Sequence, residues 1–197
     1  QKLVREEVLP YQYNILNDAI PGIEKSHAIE NIRLAAEKLR GKDVKPDEFY
    51  GMVFQDSDVA KWIEAAAYAL AAGEDPELEK AVDETIQLYG ASQHEDGYVD
   101  SYFTVKCPDK MWTNICDAHE LYCAGHMMEA AVAYYEVTGK RELLDIMSKS
   151  ADCIYEQFMK KNTRAYPGHP EVELALMRLW RATGNEKYKE LAKHFVD

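Results

Sequence analysis

From residue 59 onward, apolar side chains recur at Val59, Trp62, Ile63, Ala66, Ala67 and Leu70, the spacing of one helical face, with Asp56, Ser57 and Asp58 ahead of them as caps. Gly73 stops this helix, and Pro76 opens a second, whose stripe of Leu78, Ala81, Val82, Ile86 and Tyr89 is set among Glu77, Glu79, Lys80, Asp83 and Glu84. Between residues 59 and 72 the only charges are Lys61 and Glu64, so the first helix reads as buried and the second as its amphipathic cover. The pair recurs. Residues 121–137 are charged only at Glu129 and Glu136, Gly139 follows, and Leu143, Met147, Ala151, Ile154 and Phe158 then stripe a charged background. A third copy runs from 172 to 180, breaks at Gly184 and resumes with Tyr188, Leu191, Ala192 and Phe195, and a weaker early pair spans 8–16 and 27–39. Nothing alternates with the period of a strand. The pattern therefore predicts one all-α domain over residues 1–197, built from repeated helical hairpins.

Within each hairpin the turn is a few residues around one glycine, whereas the return to the next buried helix is long, above all at 90–118. That return carries Gln93, His94, Tyr98, Tyr102, Phe103, Trp112 and Asn114; rings beside amides suit a sugar, or serve only to cover helix ends. Three buried helices open on polar clusters: Gln55-Asp56-Ser57-Asp58, His119-Glu120 and Gly168-His169-Pro170-Glu171. If those helices run parallel, Asp58, His119 and His169 converge at one end, opposite the glycine turns. Capping explains aspartate and serine but explains two histidines poorly. The run His119-Glu120-Leu121-Tyr122-Cys123 departs from a zinc-protease helix at Cys123, and His126 lies two turns from His119, about 10 Å along the axis, too far to share one ion. Glu120 and Glu171 are candidates for the paired carboxylates of a glycosidase, at a separation that spacing alone does not give.

Composition narrows the partners. The 197 residues carry 23 basic and 35 acidic side chains, a net charge of -12, which opposes nucleic acid and anionic membrane surfaces. No apolar run approaches a bilayer span, so a soluble chain is expected; it opens at Gln1 without a basic-then-apolar leader, so either a targeting segment has been removed or the sequence starts inside a gene, and the expected location is cytoplasmic, while the rings and amides of 90–118 make a small-molecule or oligosaccharide the expected substrate. Cys107, Cys116, Cys123 and Cys153 form no C-x-x-C pair and read as small buried hydrophobes, leaving no metal site in this chain.

The run His119-Glu120-Leu121-Tyr122-Cys123-Ala124-Gly125-His126, with Val137-Thr138-Gly139-Lys140 and Gly168-His169-Pro170-Glu171-Val172-Glu173-Leu174-Ala175-Leu176 after it, closely resembles glycoside hydrolase family 127, the β-L-arabinofuranosidases. Leu9-Pro10-Tyr11-Gln12-Tyr13 and Asp56-Ser57-Asp58-Val59-Ala60-Lys61-Trp62 resemble the opening of the same family. The resemblance implies an α/α toroid of the six-hairpin type that removes terminal furanosides through a cysteine nucleophile held by zinc. It places the zinc ligands, nucleophile and acid/base glutamate beyond residue 197, so it assigns no catalytic residue, no metal ligand and no cofactor to this chain. It implies that His119 and His169 bind sugar hydroxyls, with Gln12 a weaker candidate for the same role. Turn spacings of 66 (Gly73 to Gly139) and 45 (Gly139 to Gly184) extrapolate to a ring of about 300 to 400 residues. The chain then reads as the amino-terminal half of a toroid, inactive alone, with inner helices left for self-association or for a missing carboxy-terminal half to cover. Two alternatives stay open at this stage: a helical-repeat binding module without catalysis, and a toroid with sugar epimerase or lyase chemistry.

Overall fold

The structure, a computed structural model, describes residues 2–161, 163 and 165–196, and among these it contains no strand. A π-helical turn, Val4–Val8, leads into α1 (Leu9–Leu16); α2 (Ala28–Leu39), α3 (Asp56–Ala71) and α4 (Pro76–Ala91) follow. After the short α5 (Ser101–Lys106) come α6 (Glu120–Thr138), α7 (Glu142–Tyr155), α8 (Val172–Thr183) and α9 (Glu186–Val196).

These helices form two rows. The inner row runs α1, α3, α6, α8 and the outer row α2, α4, α7, α9; α4, α7 and α9 each fold back against the inner helix before them, whereas α2 packs on α3, α4 and α5. Pattern dictates the rows: α6 is apolar on nearly every side and is buried from Leu121 to Tyr134 except at Tyr122 and His126, while α2, α7 and α9 bury one stripe each. At the start of the inner row Trp62 stacks on Tyr13 at 4.7 Å and its indole N–H donates to the Leu9 carbonyl at 3.1 Å, which locks α1 onto α3.

Two of the three glycine turns share one mechanism. Gly139 and Gly184 adopt φ of 74° and 72° and their amides close on the carbonyls of Tyr135 and Trp180 at 2.8 and 2.7 Å, the left-handed helix stop that glycine adopts without a Cβ penalty. Gly73 is not left-handed; the α3–α4 corner is set instead by Asp75, whose carboxylate caps α4 by accepting from the Leu78 amide at 3.1 Å.

Two local expectations need correction. Asp56 does not cap a helix that starts at residue 59, because α3 already begins at Asp56. The Asp56 side chain is buried and accepts from the Ser101 amide at 2.7 Å and from the Ser101 hydroxyl, tying α3 to α5. The return at 90–118 is likewise not all loop: it holds α5, capped by Asp100 accepting from the Phe103 amide at 3.0 Å, and a 3₁₀ turn at Pro108–Lys110. Three inner-row helices keep an exposed apolar side chain, Tyr11 on α1, Tyr68 on α3 and Leu174 on α8. Among the described residues no helix is long and apolar enough to cross a membrane.

Candidate functional site

His119 stands immediately before α6 with φ of 63°, left-handed for a side chain that is not glycine. Such a residue costs on the order of 1 kcal/mol and persists where its surroundings hold it. Here the imidazole Nδ1 lies 2.6 Å from the Asp117 carbonyl oxygen, and the neutral ring must donate there because a carbonyl only accepts. Its Nε2 then presents a lone pair, and 3.2 Å away is Nε2 of His169, which supplies the N–H. Hydrogen bonding thus fixes both tautomers: His119 offers an acceptor at its outer nitrogen and His169 a donor.

Close backbone packing brings the two rings together across 50 residues. A side chain at Gly168 would collide with the Cys116 carbonyl oxygen, so the segment bearing His169 sits directly on the one bearing His119. A Cβ on Gly125 would lie 2.9 Å from Glu171 Cγ and 3.0 Å from the Val172 nitrogen, so α6 also touches the start of α8. Around the pair, Phe54 lies 5.3 Å from the His119 ring and Tyr122 lies 5.0 Å from His169 and 4.5 Å from His126. His126 Nδ1 meets Glu171 Oε1 at 3.3 Å. Burial, reinforced by the Lys61 ammonium, pushes His126 down to about 4, so at neutral pH an uncharged imidazole faces the Glu171 carboxyl. That carboxyl is itself raised by burial and by Glu129 and Glu64.

Gln12 stands apart from the histidines. It lines a cavity of about 450 Å³ with Ser26, Gln55, Asp58, Lys61 and Trp62, next to the pair rather than within it. Lys61 joins the two regions, its ammonium donating to the Tyr122 hydroxyl oxygen at 3.0 Å.

Glu120 does not pair with Glu171. It is 2% exposed, accepts from the Tyr98 hydroxyl at 2.6 Å and from the Trp112 amide at 3.0 Å, and burial raises its pKa. Its role in the fold is to anchor the long return onto α6. Most of the rings and amides of that return also serve the scaffold: Tyr98 and Phe103 are buried, Gln93 donates to the carbonyls of Gly97 and Ile146, and His94 bonds the Thr104 hydroxyl at 2.9 Å. Tyr102 and Asn114 instead line a separate cavity of about 480 Å³ beside Asp117.

Sequence reasoning missed Tyr122, Lys61 and Gly168. Tyr122 was findable, since residues 119, 122 and 126 share one face of a helix; Lys61 and Gly168 act through contacts from distant segments. The four cysteines are scattered, Cys123 and Cys153 buried, Cys107 half-buried and Cys116 exposed. Among the described residues no three His, Cys, Asp or Glu side chains come together as a metal ion requires, so the zinc implied by the sequence resemblance finds no fitting donor set here.

A family model described as beta-L-arabinofuranosidase, GH127 catalytic domain, matches residues 1–197. The non-reducing end beta-L-arabinofuranosidase of Bifidobacterium longum subsp. longum is 41% identical over 212 aligned positions, 98% of this chain and 31% of that protein. Among solved structures, Ara127N-Se, a GH127 beta-L-arabinofuranosidase from Geobacillus stearothermophilus T6, superposes with a TM-score of 0.91 at 54% identity, over 99% of this chain and 30% of that one. The GH127 beta-arabinofuranosidase BT3674 gives 0.85 at 33% identity, over 98% and 30%. The chain spans a little under a third of the length of these relatives. With the hairpin rows, the joined histidines and a family match along its whole length, this chain belongs to glycoside hydrolase family 127 and its fold is that of the α/α toroid.

Proposed function

We propose that this chain supplies part of the sugar-binding pocket of a β-L-arabinofuranosidase, with His119 and His169 as the ligands of the glycone hydroxyls and Gln12 contributing from the adjoining cavity. The observation that carries the reading is the polarity of the histidine pair. A neutral sugar hydroxyl donates and accepts at once, so one hydroxyl that replaces the direct bond between the rings, the imidazoles parting to admit it, donates to Nε2 of His119 and accepts from Nε2 of His169. A carboxylate or phosphate oxygen only accepts and leaves the His119 lone pair unpaired. The relatives, which are β-L-arabinofuranosidases, support the substrate class, and the activity of those longer proteins carries over as part of this proposal.

On this reading the chain is the amino-terminal part of one toroid domain and performs no hydrolysis by itself, because the nucleophile and its zinc belong to the remainder of the ring. A repeat scaffold that binds with ordinary surface residues would not need two tautomer-locked histidines drawn from the separate segments that lead into α6 and α8, which favours the sugar site over that alternative.

Titration calorimetry with methyl β-L-arabinofuranoside tests it. His119→Ala and His169→Ala should each weaken binding about three- to tenfold, the equivalent of one hydrogen bond to a neutral partner, with the helical circular dichroism retained. Equal affinity in wild type and both variants would remove the histidines from the site.

A further inference from the structure

The histidine pair is drawn from two segments, yet its surroundings are tied together by a single ring. Tyr122 lies 5.7 Å from His119, 5.0 Å from His169 and 4.5 Å from His126, the last edge-on at 87°. Its hydroxyl oxygen accepts from Lys61 on α3 at 3.0 Å, and the same ammonium donates to the hydroxyl of Ser57, one turn earlier on α3, at 3.2 Å. Ser57 is fully buried, so the ammonium of Lys61, itself an exposed residue, has one fixed anchor on α3.

We propose that Tyr122 and Lys61 are positioning residues for the sugar site: Lys61 pins the phenol from α3, and the pinned ring sets where the imidazoles of His119, His169 and His126 lie. Backbone packing at Gly168 brings the two segments together, and Glu120 takes no part in orienting the rings, since it turns inward to Tyr98 and Trp112. Three inner-row elements, α3, α6 and the start of α8, thereby meet at one side chain. The same contact explains why the site and the cavity of Gln12 and Asp58 are neighbours, because Lys61 borders both. The inference rests on the sugar reading for its affinity consequence alone; the placement of the imidazoles is independent of what binds.

The test uses imidazole NMR of the whole chain, comparing wild type with Lys61→Met, which keeps the stem and loses the charge, and Tyr122→Phe, which keeps the ring and loses the lysine. Facing His126 are Lys61, His169, Glu171 and the Tyr122 ring. In Lys61→Met its titration midpoint should rise above about 4 while staying below the ordinary value, because burial still holds it down and only the ammonium is gone. In both variants the distinct nitrogen shifts of the His119 acceptor and the His169 donor should move toward the average of freely exchanging tautomers, and affinity for methyl β-L-arabinofuranoside should fall about threefold or more, the loss expected for a misplaced hydrogen bond. Lys61→Arg should restore most of both signals. Wild-type imidazole spectra in Lys61→Met and Tyr122→Phe would overturn the proposal, and so would collapse of the helical signal, which would make both residues core supports. If wild type binds no arabinofuranoside while the imidazole spectra still move, the sugar reading fails and the positioning stands.

Discussion

At the scale of single residues, neighbours in sequence have opposite tasks. His119 turns outward to His169, while Glu120, next to it, is buried and spends its carboxylate on Tyr98 and Trp112. The helix-start position and residue type made His119 and His169 legible in the sequence. The role of Glu120 was not, because its hydroxyl partner lies 22 residues back, inside what reads as loop. Gly168 was equally silent, since only the fold shows the Cys116 carbonyl against it. Gly168→Ala should therefore displace His169 and reduce arabinofuranoside affinity to within about a factor of two of His169→Ala, a hydrogen-bond-sized loss. Calorimetry on the two variants side by side checks this, and wild-type affinity in Gly168→Ala would show that the segment relaxes without moving the ring.

At the scale of elements, the hairpin turns look alike in sequence and differ in conformation. Gly139 and Gly184 are left-handed with open space around the missing Cβ, so alanine there meets backbone strain alone. Gly139→Ala and Gly184→Ala should each cost about 1 kcal/mol. At Gly73 the nearest atom to an added Cβ is the far end of the flexible Arg5 side chain, and the backbone is not left-handed, so Gly73→Ala should cost well under that. Urea unfolding of the three variants reads the difference, and equal losses would mean that the α3–α4 corner is a third copy of the same turn. Periodicity revealed the long helices because their apolar stripes repeat over several turns. It missed α5, whose six residues complete fewer than two turns, and it placed the start of α3 late because Asp56 is a buried polar residue that breaks the apolar pattern while lying inside the helix.

At the scale of the whole molecule, the packing of α3, α5 and α6 buries three carboxyl groups, Asp56, Asp100 and Glu120, and one oxygen of Asp100 has no hydrogen-bond partner. Burial raises the pKa of all three, and Asp56 and Glu120 add to the rise at Asp100. Because the folded values lie above the unfolded ones, near 4, the stability these groups contribute is fully present below the unfolded values and is lost as pH rises through the folded ones. Urea midpoints should accordingly decline from this source as pH is raised above about 4, and Asp100→Asn should flatten the slope; an unchanged slope in that variant would place the effect elsewhere. The sequence showed the two rows of helices and the acidic surface, but not which acids the core encloses, since burial is decided by contacts between helices.

His119 and His169, standing just ahead of two different inner helices, act on one ligand as a single donor–acceptor pair. Nitrogen spectra of both imidazoles recorded while methyl β-L-arabinofuranoside is added test it most directly. The outer nitrogens of the two rings should shift together along one binding curve, His119 remaining an acceptor and His169 a donor. A shift at one ring alone, or saturation elsewhere in the chain with both rings unmoved, would contradict it.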